Sequence, residues 1–395
     1  MQIRRPVWLQ AASTPGATVF AILFTLESIS RASLATLIPL QALSILGNAR
    51  DVSVLFFAIG VAALMASFAI PLLIRRLKRR WVYSLGVAFL FLSPFLFVTA
   101  TLFGQVMGML VRVFGTACLG ISLNLYIMDY IRKRDLVRSE PRKLLFAALP
   151  WTAGPYLGVY LHSQWGPWVA FGFSSAAAVV LFAYFWALRF AGDPAVAAAV
   201  RPPPNPLRNV RRFVNQPRLR LAWFLNFGRH AWWVTFFVYA PVFMVKTGQG
   251  ELAGGLLVSA GTAMLLLMPF MSRLGGRYGI RRVMDGAYTA CGVATAVAGF
   301  LFGAPLLAAG LLLVAAANAV ALDAFGNIPF LRAVHAYERP EMTTVFATSR
   351  DIAELAMPAL FAVLLTFFDL AAVFLAAGLL MFFFAGLARY LPRRM

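Results

Sequence analysis

Acidic residues are scarce in this sequence. Asp and Glu together number 14 among 395 residues, against 35 Lys and Arg, and charged residues make up only 12% of the chain. A water-soluble protein of this length carries more charge than that on its surface. Because hydrophobic residues reach 61%, the composition predicts that the chain is embedded in a lipid bilayer.

Cysteine and histidine are nearly absent as well. Cys118 and Cys291 each lie inside an apolar run, in opposite halves of the chain, so no disulfide framework is expected. The sequence has no P-loop, no paired Cys-x-x-Cys and no His cluster with metal-ligand spacing. We therefore expect no metal, no cofactor and no ATP hydrolysis, which leaves an ion or solute gradient as the source of energy.

Long apolar runs fill the rest of the chain. A helix that crosses a bilayer needs about 20 apolar residues. Twelve such runs can be placed, in two sets of six, over residues 18–47, 52–74, 81–102, 104–131, 143–162, 167–188, 219–245, 252–272, 283–303, 305–334, 342–368 and 370–391. The predicted fold class is all-α: a polytopic membrane protein of two six-helix bundles with pseudo-two-fold symmetry.

The two sets of runs are separated by a polar segment. Its Arg201-Pro-Pro-Pro-Asn-Pro206 stretch cannot hold a helix. The predicted domains are an N-terminal bundle at 1–189, a cytoplasmic linker at 190–218 and a C-terminal bundle at 219–395. A weak internal repeat supports this division, because aligning Pro39 with Pro241 places Glu27 opposite Arg229.

The net charge of +21 would suggest nucleic acid as a partner of a soluble protein. Here the basic residues outside the runs lie on alternate loops, and the loops of the opposite side carry only Arg50 and Lys246. Lys and Arg are retained on the cytoplasmic side of a membrane. We predict cytoplasmic termini in a bacterial inner membrane, a basic face against anionic lipid, and no nucleic-acid partner.

Three segments carry motifs of a known family. Residues 71–80, which end in Arg76, Lys78, Arg79 and Arg80, are similar to the pattern Gly-x-x-x-Asp-Arg-x-Gly-Arg-Arg, although Arg75 stands in place of the Asp. The equivalent loop of the second half keeps three motif residues, Arg277, Gly279 and Arg281. The fifth run contains Gly154-Pro155-Tyr-Leu-Gly158.

With these motifs and the six-plus-six plan, nearly the whole chain resembles the major facilitator superfamily. The resemblance implies a secondary transporter that moves a small solute by alternating access, with the two basic loops and the Gly-Pro-x-x-Gly element taking part in the conformational change. In that family the last element marks many exporters, so it favours outward transport. Arg112 followed by Gly115 is similar to a motif of the fourth helix.

Eight charged residues lie well inside the predicted crossings, away from their ends. Each costs roughly 3 kcal/mol or more near the bilayer centre unless it faces a partner or a cavity. We predict that these residues bind substrate or couple transport to protons: Glu27, Arg31, Arg112, Arg229, Asp323, Arg350, Asp351 and Glu354. The spacing of four residues also allows simple helix-locking pairs between Glu27 and Arg31 and between Arg350 and Glu354.

Two of these charged residues have an alternative role. Arg112 can be a counter-ion, or it can hold a substrate carboxylate or phosphate through two hydrogen bonds. Asp323 can hydrogen-bond a neighbouring helix instead of carrying a proton. Candidate residues for the cavity wall are Trp151, Tyr156, His230 and Trp233, although aromatic side chains also pack helices and face lipid interfaces.

The leading hypothesis is a proton-coupled exporter of a small organic molecule, expected to be a monomer. The alternative is an importer or symporter of an organic anion, which the four intramembrane Arg residues favour. A membrane enzyme needs a nucleophile or a His/Asp pair at the interface, and a signalling protein needs a domain outside the membrane. Neither is evident, so no enzymatic activity is expected.

Overall fold

The computed structural model describes residues 17–130, 133–188, 206–335 and 338–392. Within those ranges every regular element is a helix. The helices are α1 Ala17–Ala32, α2 Leu37–Leu46, α3 Ala49–Arg76, α4 Arg79–Val98, α5 Leu102–Tyr130, α6 Lys133–Trp165, α7 Pro167–Ala187, α8 Pro206–Val214, α9 Pro217–Lys246, α10 Glu251–Ala263, α11 Met268–Tyr278, α12 Ile280–Phe300, α13 Pro305–Phe325, α14 Ile328–Ala333, α15 Arg339–Phe367 and α16 Ala371–Ala388.

These helices form twelve crossings in the described part of the chain. The first, eighth and tenth crossings are each built from two pieces, α1 with α2, α10 with α11, and α13 with α14. Eight crossings are long and apolar enough to span a bilayer by composition. The other four, α6, α9, α12 and α15, have 21 to 33 residues but carry charged side chains that lower their mean hydropathy.

Helix packing follows the two-fold plan. The third crossing packs on the fourth as the ninth packs on the tenth, and the first packs on the fifth as the seventh packs on the eleventh. The halves meet where α3 packs on α15 and where α6 packs on α10, which are equivalent pairs under the same rotation. Two six-helix bundles with pseudo-two-fold symmetry are thereby confirmed.

Two boundaries differ from those expected. The fifth crossing begins at Lys133, ten residues before the predicted start at Lys143, because a helix can continue past the bilayer edge into water. The linker holds a short helix, α8, that starts at Pro206, since proline is tolerated in the first turn of a helix. The predicted break at 201–205 lies outside the described residues, and the domain limits and cytoplasmic termini stay predictions.

The first crossing is interrupted between Ala32 and Leu37. There the backbone N–H groups of Leu34 and Ala35 donate to carbonyls three residues back, at 3.3 and 3.1 Å, so the chain tightens and the α-helix stops. The fifth crossing lies directly against this break. A Cβ atom placed on Gly158 would come 1.7 Å from the Ser33 carbonyl oxygen, so only glycine permits this approach.

The eighth crossing is interrupted as well. A single 3₁₀ segment, Met264–Leu267, separates α10 from α11, and Pro269 occupies the first turn of α11. Proline has no N–H to donate and its ring clashes with the preceding turn, so it favours a kink or a break in the helix. The eighth crossing packs on α6 of the other half, so this change of helix type lies close to the interface.

Gly158→Ala is predicted to destabilise the fold, because either α6 or the break in the first crossing must move to admit the new methyl group. Overpacking of this kind costs about 1–3 kcal/mol. Gly172→Ala is the matched control, since no heavy atom lies within 4 Å of its added Cβ. Thermal unfolding of purified protein should show a lower midpoint for Gly158→Ala only; equal midpoints would contradict the close approach.

Candidate functional site

Two charged residues of the first crossing form an ion pair one turn apart. Arg31 Nη1 lies 3.1 Å from Glu27 Oε1, and only 1% of the Glu27 side chain is exposed. The spacing of four places both on one face of α1. The pair lies just before the break at Ala32, near the middle of the bundle.

Arg112 reaches the same place from α5. Its Nη2 donates to the carbonyl oxygens of Ser30 and Arg31, at 3.2 and 3.0 Å. The carbonyl of Arg31 is available to a side chain because the α-helix ends there. Arg112 Nη1 is buried and has no hydrogen-bond partner. Arg112 therefore holds the fourth crossing against the break, with one donor unused.

The C-terminal half has its own pair at the equivalent crossings. Arg229 of α9 lies 3.4 Å from Asp323 of α13. Asp323 also accepts a 2.9 Å hydrogen bond from the Trp233 indole N–H, and Arg229 Nη2 lies 3.0 Å from His230 Nε2. Glu27 therefore is not the partner of Arg229; the acid that pairs with it comes from its own half.

The eleventh crossing carries the third group of charges. Arg350 Nε lies 2.9 Å from Glu354 Oε1, with 52% and 37% of the two side chains exposed. Asp351, one residue along, faces α3, where the Ser67 hydroxyl interacts with its carboxylate. Asp351 thus lies in a polar contact that joins the two halves.

These groups interact across the centre of the molecule. Arg350 lies within electrostatic range of Glu27 of α1 and of His230 of α9, so it is on the side of α15 near the first and seventh crossings. A half-exposed guanidinium in mid-membrane needs water or a counter-ion around it. The exposure of Arg350 and Glu354 therefore indicates a water-accessible gap between the bundles.

Several hydrogen bonds close the gap at one end. We call this the far end, where α2 and α9 finish; the near end is where α1 begins. Lys246 Nζ donates to the Gly47 carbonyl at 3.0 Å, and Ser53 Oγ lies 2.6 Å from Tyr239 Oη. Deeper in the bundle, Thr262 Oγ1 donates to the Trp151 carbonyl at 2.6 Å. These contacts hold the two halves together at the far end.

Aromatic rings continue the site from one half to the other. The Trp151 ring of α6 lies 5.4 Å from Phe237 of α9, and Phe237 lies 5.6 Å from Trp233. All three rings are half-buried. The Arg31 guanidinium carbon lies 5.9 Å from the centre of the Trp151 ring, within the range of a cation–π interaction. These rings and the charged pairs therefore form one contiguous site.

Tyr156 has a different setting. Its ring stacks on Tyr160 at 6.0 Å, and both side chains are exposed, as is that of Leu149. Residues 149, 156 and 160 share one face of α6, while Gly154 and Gly158 lie on the face that packs on α1. Only the backbone of Tyr156 contacts the other half, through its N–H and Ser259 Oγ at 2.9 Å.

The motif residues lie at helix junctions. Arg76 ends α3, and Arg79 and Arg80 begin α4. Gly279 separates α11 from α12 with φ of 85°, a conformation that favours glycine. Arg277 and Arg281 flank this junction in α11 and α12. In the Gly-Pro-x-x-Gly element, Pro155 faces Gly255 of the other half, whose added Cβ would lie 3.2 Å from the Pro155 carbonyl.

Sequence reasoning missed the small polar residues that join helices. Ser67, Ser53 and Thr262 each contact the opposite half, and Ser30 binds Ser174 of α7 at 2.9 Å between hydroxyl oxygens. The available signal was a hydroxyl inside an apolar run, which commonly marks a helix contact in membranes. In the described ranges no group of three potential metal-ligating side chains is found.

Asp323→Asn is predicted to leave Arg229 buried without a counter-ion, which costs about 3–5 kcal/mol of stability. Adding Arg229→Gln in the same chain should recover most of that loss, so a double-mutant cycle should show strong coupling. The control is Asp285→Asn, whose partner Arg389 is 66% exposed; its loss should stay under about 1 kcal/mol. Additive losses for Asp323 and Arg229 would contradict the pair.

Comparisons with known proteins agree with this architecture. The Major Facilitator Superfamily model matches residues 20–325. A mutant of the nucleoside transporter NupG has a similar fold, with 15% identity over 94% of this chain and 98% of that one and a TM-score of 0.73. A POT family transporter in complex with 5-aminolevulinic acid has 11% identity over 94% and 95%, with a TM-score of 0.72.

No curated protein sequence matches the chain. The structural likenesses show the fold, and the family model covers more than half of the sequence. Eight helices long and apolar enough to cross a membrane make the protein a multi-pass membrane protein. Secondary transport is the general activity that the family supports, and the chain belongs to the Major Facilitator Superfamily.

Proposed function

We propose that the chain is a proton-coupled exporter of a small organic solute that works by alternating access. The position of Asp351 supports the proposal, because its carboxylate lies where α15 packs on α3 of the other half and interacts there with the Ser67 hydroxyl. An ionised carboxylate accepts stronger hydrogen bonds than a neutral carboxyl group. Protonation of Asp351 weakens the α3–α15 contact, so proton binding and separation of the halves share one free-energy change.

The far-end contacts supply the opposing half of the cycle. Lys246 with Gly47 and Ser53 with Tyr239 hold the gap closed at the far end, a state that alternating access pairs with an opening at the near end. Access from the other side requires those bonds to break and the near ends to meet. A bound proton or solute selects between these two states only if its affinity for them differs.

Outward direction is supported by the Gly-Pro-x-x-Gly element. Gly158 packs on the break of the first crossing, and Pro155 packs on Gly255 of the eighth. The element therefore lies where the first, fifth and eighth crossings meet, and these crossings must move relative to one another during alternating access. Under the predicted orientation, the open near end faces the cytoplasm, where an exporter loads its solute.

Asp351→Asn is predicted to uncouple transport. In proteoliposomes offered a panel of nucleosides, dipeptides and small organic acids, gradient-driven flux should fall about tenfold or more. Exchange of solute without a pH gradient should persist within about twofold, because asparagine keeps the size of the side chain and a polar oxygen facing Ser67. The matched control is Ser272→Ala, whose hydroxyl bonds only its own helix at 3.0 Å. Equal loss of driven flux and exchange would contradict coupling at Asp351.

A second function, uptake of an organic anion, is favoured by the surroundings of Glu27. This one carboxylate interacts with Arg31, Arg112 and Arg350, so three guanidinium groups lie around it. These guanidinium groups attract an anion to the site. Because protons that enter with the anion compensate its charge, uptake can proceed against an inside-negative membrane potential.

Arg112 separates the two functions. If its unused Nη1 binds the solute anion, Arg112→Lys should keep the charge but lose planar two-point binding, and Arg112→Ala should lose both. Solute affinity measured on purified protein should then fall in the order wild type, Lys, Ala, by roughly tenfold at each step. Unchanged affinity in both variants removes Arg112 from the binding site and rejects this role.

A further inference from the structure

The aromatic rings of the site are held as a fixed surface. Trp233 is fixed by the bond from its indole N–H to Asp323 at 2.9 Å, and Phe237 stacks on it with an angle of 29° between ring planes. Trp151 meets Phe237 edge to face from the other half, at 60°. Since all three rings stay half-buried at the gap, they present π surface that helix packing does not consume.

Positive charge lies beside this surface. The Arg31 guanidinium sits over the Trp151 ring with 22% of its side chain exposed. Arg350, with 52% of its side chain exposed, faces the same gap. Both interact with Glu27, which is almost fully buried and cannot itself be a solvent-facing anchor. Arg350 is also paired with Glu354, so an incoming anion competes with one carboxylate at each guanidinium group.

We propose that the gap binds a small anion that carries a planar aromatic ring. Its ring packs against Trp151, Phe237 and Trp233, and its anionic group lies between Arg31 and Arg350. Such a ligand would be the solute of the transport function proposed above, and its physiological role rests on that function. The two anchors come from different halves, so one ligand contacts both bundles and can favour one relative arrangement over another.

Glu27 is the internal competitor for the same guanidinium groups. An anion that binds Arg31 takes over part of the role of the Glu27 carboxylate in that ion pair. Removing the charge of Glu27 should therefore strengthen anion binding, whereas a purely structural pair would lose stability and gain nothing in affinity. This opposite sign makes Glu27→Gln a sharper test than removal of an arginine.

The test is calorimetric titration of the full-length purified protein in nanodiscs with three probes of similar size. These are 2-naphthoate, its fully saturated counterpart decahydro-2-naphthoate, and 2-naphthylmethylammonium. The inference expects 2-naphthoate to bind about tenfold more tightly than either other probe, since a ring on aromatic surface and a charge near arginine each contribute about a factor of ten. Equal affinities for all three would overturn it.

Four variants locate the site. Trp151→Leu and Trp233→Leu should weaken 2-naphthoate binding about fivefold to tenfold and leave the saturated probe nearly unchanged. Glu27→Gln should tighten 2-naphthoate binding about fivefold. The matched control is Trp168→Leu, whose ring is 67% exposed at the start of α7. If Trp168→Leu weakens binding as much as the other two, the aromatic surface is not the site.

Thermal unfolding of each variant separates a binding defect from a folding defect. Trp151→Phe should restore most of the affinity lost in Trp151→Leu, which a nonspecific packing defect would not predict. Binding is measured without a pH gradient, so it is independent of transport. Tight 2-naphthoate binding with no driven flux of any solute would refute the proposed function alone, and driven flux of other solutes without 2-naphthoate selectivity would refute the ligand class alone.

Discussion

The free-energy cost of placing a charged side chain in the hydrocarbon of a bilayer constrains the whole structure. A guanidinium or carboxylate near the middle of a bilayer stays ionised only beside a partner or water. Glu27 therefore pairs with Arg31, Asp323 with Arg229, and Glu354 with Arg350. Since the last pair is half-exposed, water must reach it, and a water-filled gap between two bundles is the arrangement that satisfies every charge at once.

The two halves meet this constraint with opposite polarity. The first and fourth crossings carry an acid, Glu27, and a base, Arg112, whereas the seventh and tenth carry a base, Arg229, and an acid, Asp323. The backbone plan is thus repeated while the signs of the charges are exchanged. A ligand in the middle consequently meets a chemically asymmetric site inside a symmetric frame, which can orient a molecule that has a charged end and an apolar end.

The sequence predicted the crossings and the local pairs because both follow from short-range rules. An apolar run long enough for a bilayer predicts a helix, and a spacing of four predicts the pairs of Glu27 with Arg31 and Arg350 with Glu354. The partner of Arg229 was not predictable in this way, since Asp323 lies three crossings further along the chain. The carbonyls that bind Arg112 were also hidden, because they depend on a break in α1 that no proline marks.

The divided first crossing has a mechanical consequence. Its outer piece, α2, ends beside the Gly47 contact with Lys246, while its inner piece, α1, carries Glu27 and Arg31. A hinge of a few residues between the two pieces allows α1 to tilt while α2 keeps its hydrogen-bonded contact with the opposite half. A break at this place allows bending within a lobe in addition to rotation of whole lobes, and Gly158 is the residue that packs against it.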